Sequence, residues 1–553
     1  MNLRLLPRTC AIVFAAMLVV AACDIGTSES TTAPSASQSP GQATPSPTPT
    51  QTPALPPKHG GVLRTWAFAT PESFDLLAHK DPDSWATVLP MMNWLVANDQ
   101  GGRGLVPELA ERWTASGTQY VFSLNRKARF HDGSPLVADD VIASLRRVAD
   151  TPSAPYRRPL QNVTRMDALD PYTVRVTLKA PDPTFVAGLG AIGNVIFLSF
   201  RQPDQAQRFA PVGTGPFRLK RFVPGVSVDL ERNSTYFLAG ADGLPYLDDI
   251  QVLALGEAET GIAAMISGEV DLSPPLPLSA LGSSSDKVMR VLKRFPLATF
   301  QGATETLTFA NAGKWTDQRL RQAIALRIDR DAFNRDAAYG LGNRNAWLLP
   351  ARETGGSWAL PATSLQALLG YGDQKTEGAR GVELLRVADG WPGNARLVAS
   401  EDQRAAAESL MTQLAPIAGN GLRLDVLNAV DYASARVTRS FDLLLDTTST
   451  YLDDPSIALD DLFRSDAPGN LGRWQSADID RLLAAMGRET DTVRRQSFAG
   501  DLQRRLIDLS WVVAIGTVPY ARIAVSAVQS VPRSLLLEDG PSWRLDRVWL
   551  NRG

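Results

Sequence analysis

Apolar and polar positions alternate through Tyr120, Val121, Phe122, Ser123 and Leu124, the period-two pattern of a strand with one buried face. Asp132-Gly133 followed by Pro135 is turn chemistry, which reverses the chain. Beyond it Val141, Ile142, Leu145 and Val148 recur at helical spacing, with Asp139 and Asp140 in the first turn, where a helix dipole favours acids. The stretch Leu109–Val148 therefore predicts strand, tight turn and helix. Gly60–Arg64 predicts a strand opening the folded region, and Tyr172–Leu178, entered from Asp170-Pro171, predicts another. Leu320, Ile324 and Ile328 share one helical face, with Thr316 or Asp317 available as cap. Farther on the rhythm is regular: strand Ala395–Ala399, helix Arg404–Ala415, strand Leu422–Leu427, helix Tyr432–Arg439, strand Phe441–Asp446. Such alternation predicts a parallel sheet with crossover helices. Ligands of these sheets bind beyond the carboxyl ends of the strands, which makes Thr447–Pro455 the candidate cleft wall.

The N-terminal pattern is different. Arg4 and Arg8 precede an apolar run, Ala11–Ala22, of signal-peptide length and too short to span a bilayer comfortably. It ends in Val20-Ala21-Ala22-Cys23, which resembles a bacterial lipobox, and this implies lipidation of Cys23. Asp24–Pro57 is a tract of Ser, Thr, Pro, Gln and Ala with almost nothing to bury. It predicts a disordered tether with an extended reach of roughly 100 Å. With Cys10 removed and Cys23 carrying lipid, no disulfide and no Cys metal site is expected.

Composition narrows the chemistry. The chain's 553 residues suffice for two or three lobes with substantial cores, and 44% hydrophobic with 21% charged content is ordinary for a globular protein. A formal net charge of −2 gives no electrostatic case for nucleic acid. The three histidines, His59, His79 and His131, show no metal-ligand spacing, and no nucleophile elbow or phosphate loop is present. Gly188–Gly193 fits G-x-G-x-x-G, but the following Asn194–Phe200 reads as strand instead of an opening helix, which argues against a dinucleotide loop. The doublets Asp139-Asp140, Asp248-Asp249 and Asp460-Asp461 read as caps or solvated turns, because adjacent helical residues do not face one another. Trp347 and Trp358 read as core. Neither an enzyme nor a bound cofactor is expected.

The chain resembles the family 5 extracellular solute-binding proteins, the oligopeptide, dipeptide and nickel receptors of ABC importers. The resemblance rests on Leu109-Ala110 with Trp113, on Phe130-His131-Asp132-Gly133 with Pro135, and on Ala138, Asp140-Val141, Ser144-Leu145 and Arg147. Further matches are Pro71–Asp75, Gly213-Thr214-Gly215-Pro216-Phe217, Arg232-Asn233 with Tyr236, Pro245–Ile250 and Arg321–Ile324. It implies an α/β fold, a two-lobed periplasmic-binding-protein-like clamp (type II, cluster C) with an extra subdomain inserted in the first lobe. The expected divisions are a signal peptide at 1–22 and the lipidated Cys and tether at 23–57. The first lobe is expected at 58–100, 201–310 and 518–553, the inserted subdomain at 101–200 and the second lobe at 311–517. The implied partners of a monomeric, lipid-anchored receptor are a peptide or similar small solute and an ABC permease with its ATPase subunits. Expected solute contacts are Thr448, Thr450, Tyr451, Asp453, Asp454 and Trp474. Peptide-binding members commonly carry an Asp four residues before the Pro of the cleft segment and a Trp three residues earlier. Here those positions are Tyr451 and Thr448, and Asp453 and Asp454 either replace the Asp by another geometry or cap the turn. The rival reading is a clamp-fold lipoprotein without a transport role, acting as a cell-envelope regulator or scaffold.

Overall fold

The computed structural model describes residues 55–77, 82–98, 104–151, 157–191, 193–196, 209–240, 242–282, 285–295, 297–300, 303–344, 347–349, 358–448, 454–532 and 543–552. The chain divides into Met1–Pro56 and a compact unit, Pro57–Gly553. The expected signal peptide, Cys23 and the tether as far as residue 54 lie outside the described residues.

Strand β1 (Val62–Ala67) sends Leu63, Trp66 and Ala67 inward. The chain then builds a separate layer. Strands β2 (Ala110–Ser116), β3 (Gln119–Leu124), β4 (Val163–Asp170) and β5 (Thr173–Leu178) form an antiparallel sheet in the order β2-β3-β5-β4. Tyr120, Phe122 and Leu124 are buried beside Val174 and Val176, and helix α1 (Ala138–Asp150) closes this core with Val141, Leu145 and Val148. Each fully buried Phe or Leu contributes roughly 1.5–3 kcal/mol relative to exposure. The turn between β3 and α1 is set locally: Asp132 Oδ1 accepts from the Ser134 N–H at 2.9 Å, and Gly133 adopts φ +84°. At the helix start Asp140 accepts from the Val137 N–H at 3.0 Å, while Asp139 faces solvent, so that doublet is one cap and one exposed acid.

Two polar contacts tie this layer to the first lobe. His131 accepts the Gly213 N–H at its Nδ1 (3.3 Å) and meets the Gly215 carbonyl with Nε2 (3.1 Å), which requires the neutral tautomer protonated on Nε2. Arg147 forms a forked pair with Asp75, at 2.7 and 3.2 Å. Gly213 is obligatory for packing: a Cβ there would lie 2.0 Å from the Met91 carbonyl oxygen. Burial pushes the His131 imidazole down to about 4. The unfolded chain then binds more protons than the folded one between pH 4 and 6.5, so stability is lost as pH falls through that window. The His131 contribution to that loss is on the order of 2–3 kcal/mol, read as the pH-dependent difference in urea midpoint between the parent chain and His131→Gln.

The first-lobe sheet is completed by β6 (Phe217–Val223), β7 (Ser227–Arg232) and β8 (Asp249–Ala254), ordered β1-β8-β7-β6, with β1 and β8 parallel. The C-terminal segment supplies Trp543, Val548 and Leu550 to the same core as Leu63 and Phe217. Strand β9 (Leu297–Phe300) then leads out of this lobe into β10 (Thr304–Phe309).

The second lobe comprises β11 (Ala395–Ser400), α2 (Arg404–Ala418), β12 (Leu422–Leu427), α3 (Ala429–Thr438), β13 (Leu443–Thr448), α4 (Ser456–Phe463), α5 (Ala477–Arg488), α6 (Thr492–Leu509) and β14 (Val512–Thr517). Its sheet order is β12-β11-β13-β10-β14. The expected parallel pairing holds for β12, β11 and β13, whereas β10, the chain's entry strand, lies antiparallel between β13 and β14. The second lobe thus begins with Thr304 and not at residue 311, since β10 is hydrogen-bonded between β13 and β14. Exit continues into β15 (Tyr520–Ile523), which pairs with β9 back in the first lobe. Two antiparallel passes, β9 to β10 and β14 to β15, join the lobes.

Gly188 lies in a short helix, Phe185–Leu189, and a strand at Val195–Ile196 follows. That is the reverse of the strand-then-helix order a dinucleotide loop needs. Trp347 stacks on Phe463 and Trp358 is 6% exposed, so both are core. No described helix is long and apolar enough to cross a membrane.

Candidate functional site

Polar side chains gather where the second-lobe strands end beside the two lobe-joining passes. Strand β13 buries Leu443, Leu444 and Leu445 and then turns polar at Asp446, Thr447 and Thr448. Thr448 is Cα partner of Thr304, and its hydroxyl lies 3.4 Å from that of Thr306. Asp446 accepts from Tyr432 (3.0 Å) and pairs with Arg436 (2.9 Å).

Between them sits Glu305, 5% exposed, on β10 opposite Thr447. Gln403 Nε2 donates to one carboxyl oxygen at 2.8 Å and the Thr447 hydroxyl donates to the other at 3.2 Å. No cation pairs with it among the described residues. Burial pushes its carboxyl up to about 7, against the pull of those two hydrogen bonds. Burial, and then the charge of Glu305, push Tyr520 of the lobe-joining strand β15 up to about 12. A titratable carboxyl therefore lies against the joint between the lobes.

The sequence-chosen contacts divide. Thr450, Tyr451 and Asp453 lie outside the described residues. Thr448 belongs to the cluster just described. Asp454 accepts from the Ser456 N–H (3.0 Å) and hydroxyl (2.7 Å) and pairs with the buried Arg495 of α6. Its carboxylate starts α4 and fastens it to α6, which is the capping alternative. Trp474, expected as a solute contact, packs instead in the second-lobe core: its indole N–H donates to the Phe309 carbonyl at 3.0 Å. Its ring stacks on Trp511 at 5.6 Å and carries the Arg321 guanidinium at 4.2 Å. With both faces and the N–H engaged, nothing of Trp474 is left to hold a solute.

Glu305 and Gln403 were missed. Gln403 had a local signal, since Ser400-Glu401-Asp402-Gln403 has the spacing of a capping box and the Ser400 N–H does donate to Gln403 Oε1 at 3.2 Å. Glu305 is an acid inside an alternating strand, and its neighbours come from positions 403 and 447.

Immediately past Asp454 a cavity of about 460 Å³ opens between the inserted subdomain and the second lobe. Arg158, Asn162 and Asp182 line one side, and Asp460, Arg464 and Asp480 the other. Arg158 spans it, pairing with Asp460 and donating to the Ile457 carbonyl at 3.4 Å. Such a volume matches a small-molecule site, and its polar walls suit a charged or hydrogen-bonding solute. No group of three or more His, Cys, Asp or Glu placed to hold a metal occurs among the described residues.

Two α/β lobes joined by paired strands, with polar groups beside the joint and a cavity between the inserted subdomain and the second lobe, define a two-lobed binding-protein clamp. The chain belongs to the bacterial extracellular solute-binding proteins, family 5, whose model matches residues 104–470. It is similar to the probable D,D-dipeptide-binding periplasmic protein DdpA of Escherichia coli, 24% identical over 80% of this chain and 85% of that protein. It is 28% identical to the probable di/tripeptide-binding protein 5 of Pseudomonas aeruginosa over 53% of this chain, and spans 61% of that relative's length. In fold it resembles the periplasmic binding protein DppA of Helicobacter pylori in complex with the peptide STSA. That likeness has a TM-score of 0.70 at 21% identity, covering 90% of this chain and 99% of the other.

Proposed function

We propose that this chain is a lipid-anchored extracytoplasmic receptor that closes its lobes on a peptide or similar small polar solute and delivers it to an ABC permease. The observation that carries the reading is the pair of antiparallel passes joining the lobes, together with a polar cavity between the inserted subdomain and the second lobe. Closure needs a solute that touches both sides and so prefers the closed state; equal affinity for open and closed forms shifts nothing. The names of the relatives support a peptide as solute, and the family membership supports binding over catalysis. Thr448 and the segment through Tyr451 and Asp453 form the proposed second-lobe wall.

A di- to oligopeptide library in a thermal shift assay tests the solute class. A ligand at a hundred times its Kd adds about 2.7 kcal/mol, which raises the melting temperature by several degrees. A flat response across the library removes peptides, and native mass spectrometry of the purified chain then reports what it carries. Anchoring is tested separately: Cys23→Ser releases the chain from the membrane fraction if Cys23 carries the lipid.

A further inference from the structure

We propose that Arg158 and Asp460 form a closing latch, which makes the inserted subdomain a working jaw of the clamp. Arg158 stands in the 3-10 turn Arg158–Asn162 that precedes β4, and its guanidinium leaves its own layer to reach α4 of the second lobe. There it holds two acceptors on successive faces of one helical turn, the Asp460 carboxylate and the Ile457 carbonyl. Both side chains are half-buried, so their attraction is stronger than that of a fully solvated pair yet still screened by salt.

Asp460 has a second partner. Arg464, four residues on in sequence, pairs with the same carboxylate oxygen. When the jaw opens, Asp460 keeps this neighbour and Arg158 passes into water, so neither charge is left buried and alone. Breaking a pair is expensive chiefly when it strands a buried charge, and here it does not. The contact is built to be broken and remade. It also borders the cavity of about 460 Å³, with Asp182, Asp480 and Arg488 as the other charged groups around it, so the latch closes over whatever fills that space. The device differs from solute recognition: it biases closure before any solute arrives.

The test uses the full chain without added solute. Spin labels on non-canonical residues replacing the exposed Glu111 and Arg481 report the distance between inserted subdomain and second lobe by pulsed electron resonance. Arg158→Met and Asp460→Asn are each expected to lower the closed-to-open ratio about twofold to fivefold, roughly what a partly screened pair supplies. The double variant should match Arg158→Met alone, since the two side chains act as one unit. Raising NaCl from 50 mM to 1 M should lower the ratio in the parent chain and leave Arg158→Met unchanged. Unchanged distances in the single variants, effects that simply multiply, or a parent chain with no closed population would each overturn the latch. Circular dichroism melts confirm that every variant is folded. Because no solute enters the measurement, its result stands apart from the peptide assay, which can fail while the latch holds.

Discussion

Arg544→Met is expected to destabilise the folded chain by about 3–5 kcal/mol at pH 7.5, the range for removing one partner of a buried ion cluster. Arg544 lies in the C-terminal segment, 9% exposed, and pairs with Glu108 and, at 3.3 Å, with Asp546. Glu108 is 2% exposed and also receives the Asn93 side-chain amide, which at 3.3 Å donates to the Tyr236 hydroxyl as well. Burial already pushes the Glu108 carboxyl up against the pull of Arg544, and the two acids keep the guanidinium firmly protonated. Without Arg544 the buried Glu108 loses its cation, and its carboxyl becomes still easier to protonate folded than unfolded. Stability of the variant then falls as pH rises, so the deficit should shrink on going from pH 7.5 to pH 5. Glu108→Gln added to Arg544→Met should recover part of the loss. Urea titrations at both pH values check this, and an equal deficit at pH 5 and 7.5 contradicts it.

The opposite sign is expected for Glu305→Gln, which should stabilise the chain by about 3 kcal/mol at pH 8 and change little at pH 4. The Glu305 carboxyl is pushed up to about 7 in the fold from an ordinary 4.5. Between these values the folded chain binds the extra proton, so the parent loses stability as pH rises through the window. A neutral amide removes that slope. It also keeps the contacts: its oxygen accepts from Gln403, and its amide can donate to Thr447 Oγ1, both now acceptors or donors of the right kind. His131 contributes the reverse slope between pH 4 and 6.5, so the parent profile should be nearly flat where the two overlap. Glu305→Gln should uncover the rising limb and His131→Gln the falling one, read from denaturation midpoints at half-unit pH steps. A Glu305→Gln chain with the parent's pH profile would show that the carboxyl is not held at the joint as described.

Much of the scaffold was legible because its causes are local. Tyr120, Phe122 and Leu124 share a buried face since strand side chains alternate, and Asp132-Gly133 turns because its side chain and its positive φ permit it. The family motifs proved to be mutual contacts: His131 meets the Gly213–Gly215 loop, and Arg147 meets Asp75. The solute wall was legible only in part. Trp474 looked like an aromatic contact, yet residue type alone does not tell a wall from a core, and Phe309, Trp511 and Arg321 decide for core. Asp454 looked available until Arg495, distant in sequence, engaged it.

By itself the sequence determined which segments become strands and helices, the binary pattern of their buried faces, and the family. These follow from side-chain period, turn chemistry and motif spacing, which act over a few residues. The tertiary structure alone decided that β10 runs antiparallel to β13 and β14 on either side of it and that Glu305 meets Gln403 and Thr447. It alone decided that Arg158 reaches Asp460, 302 residues away. Period and spacing carry no information about which strands lie side by side, whereas the energy of a buried charge depends almost entirely on the neighbours that distant segments bring to it.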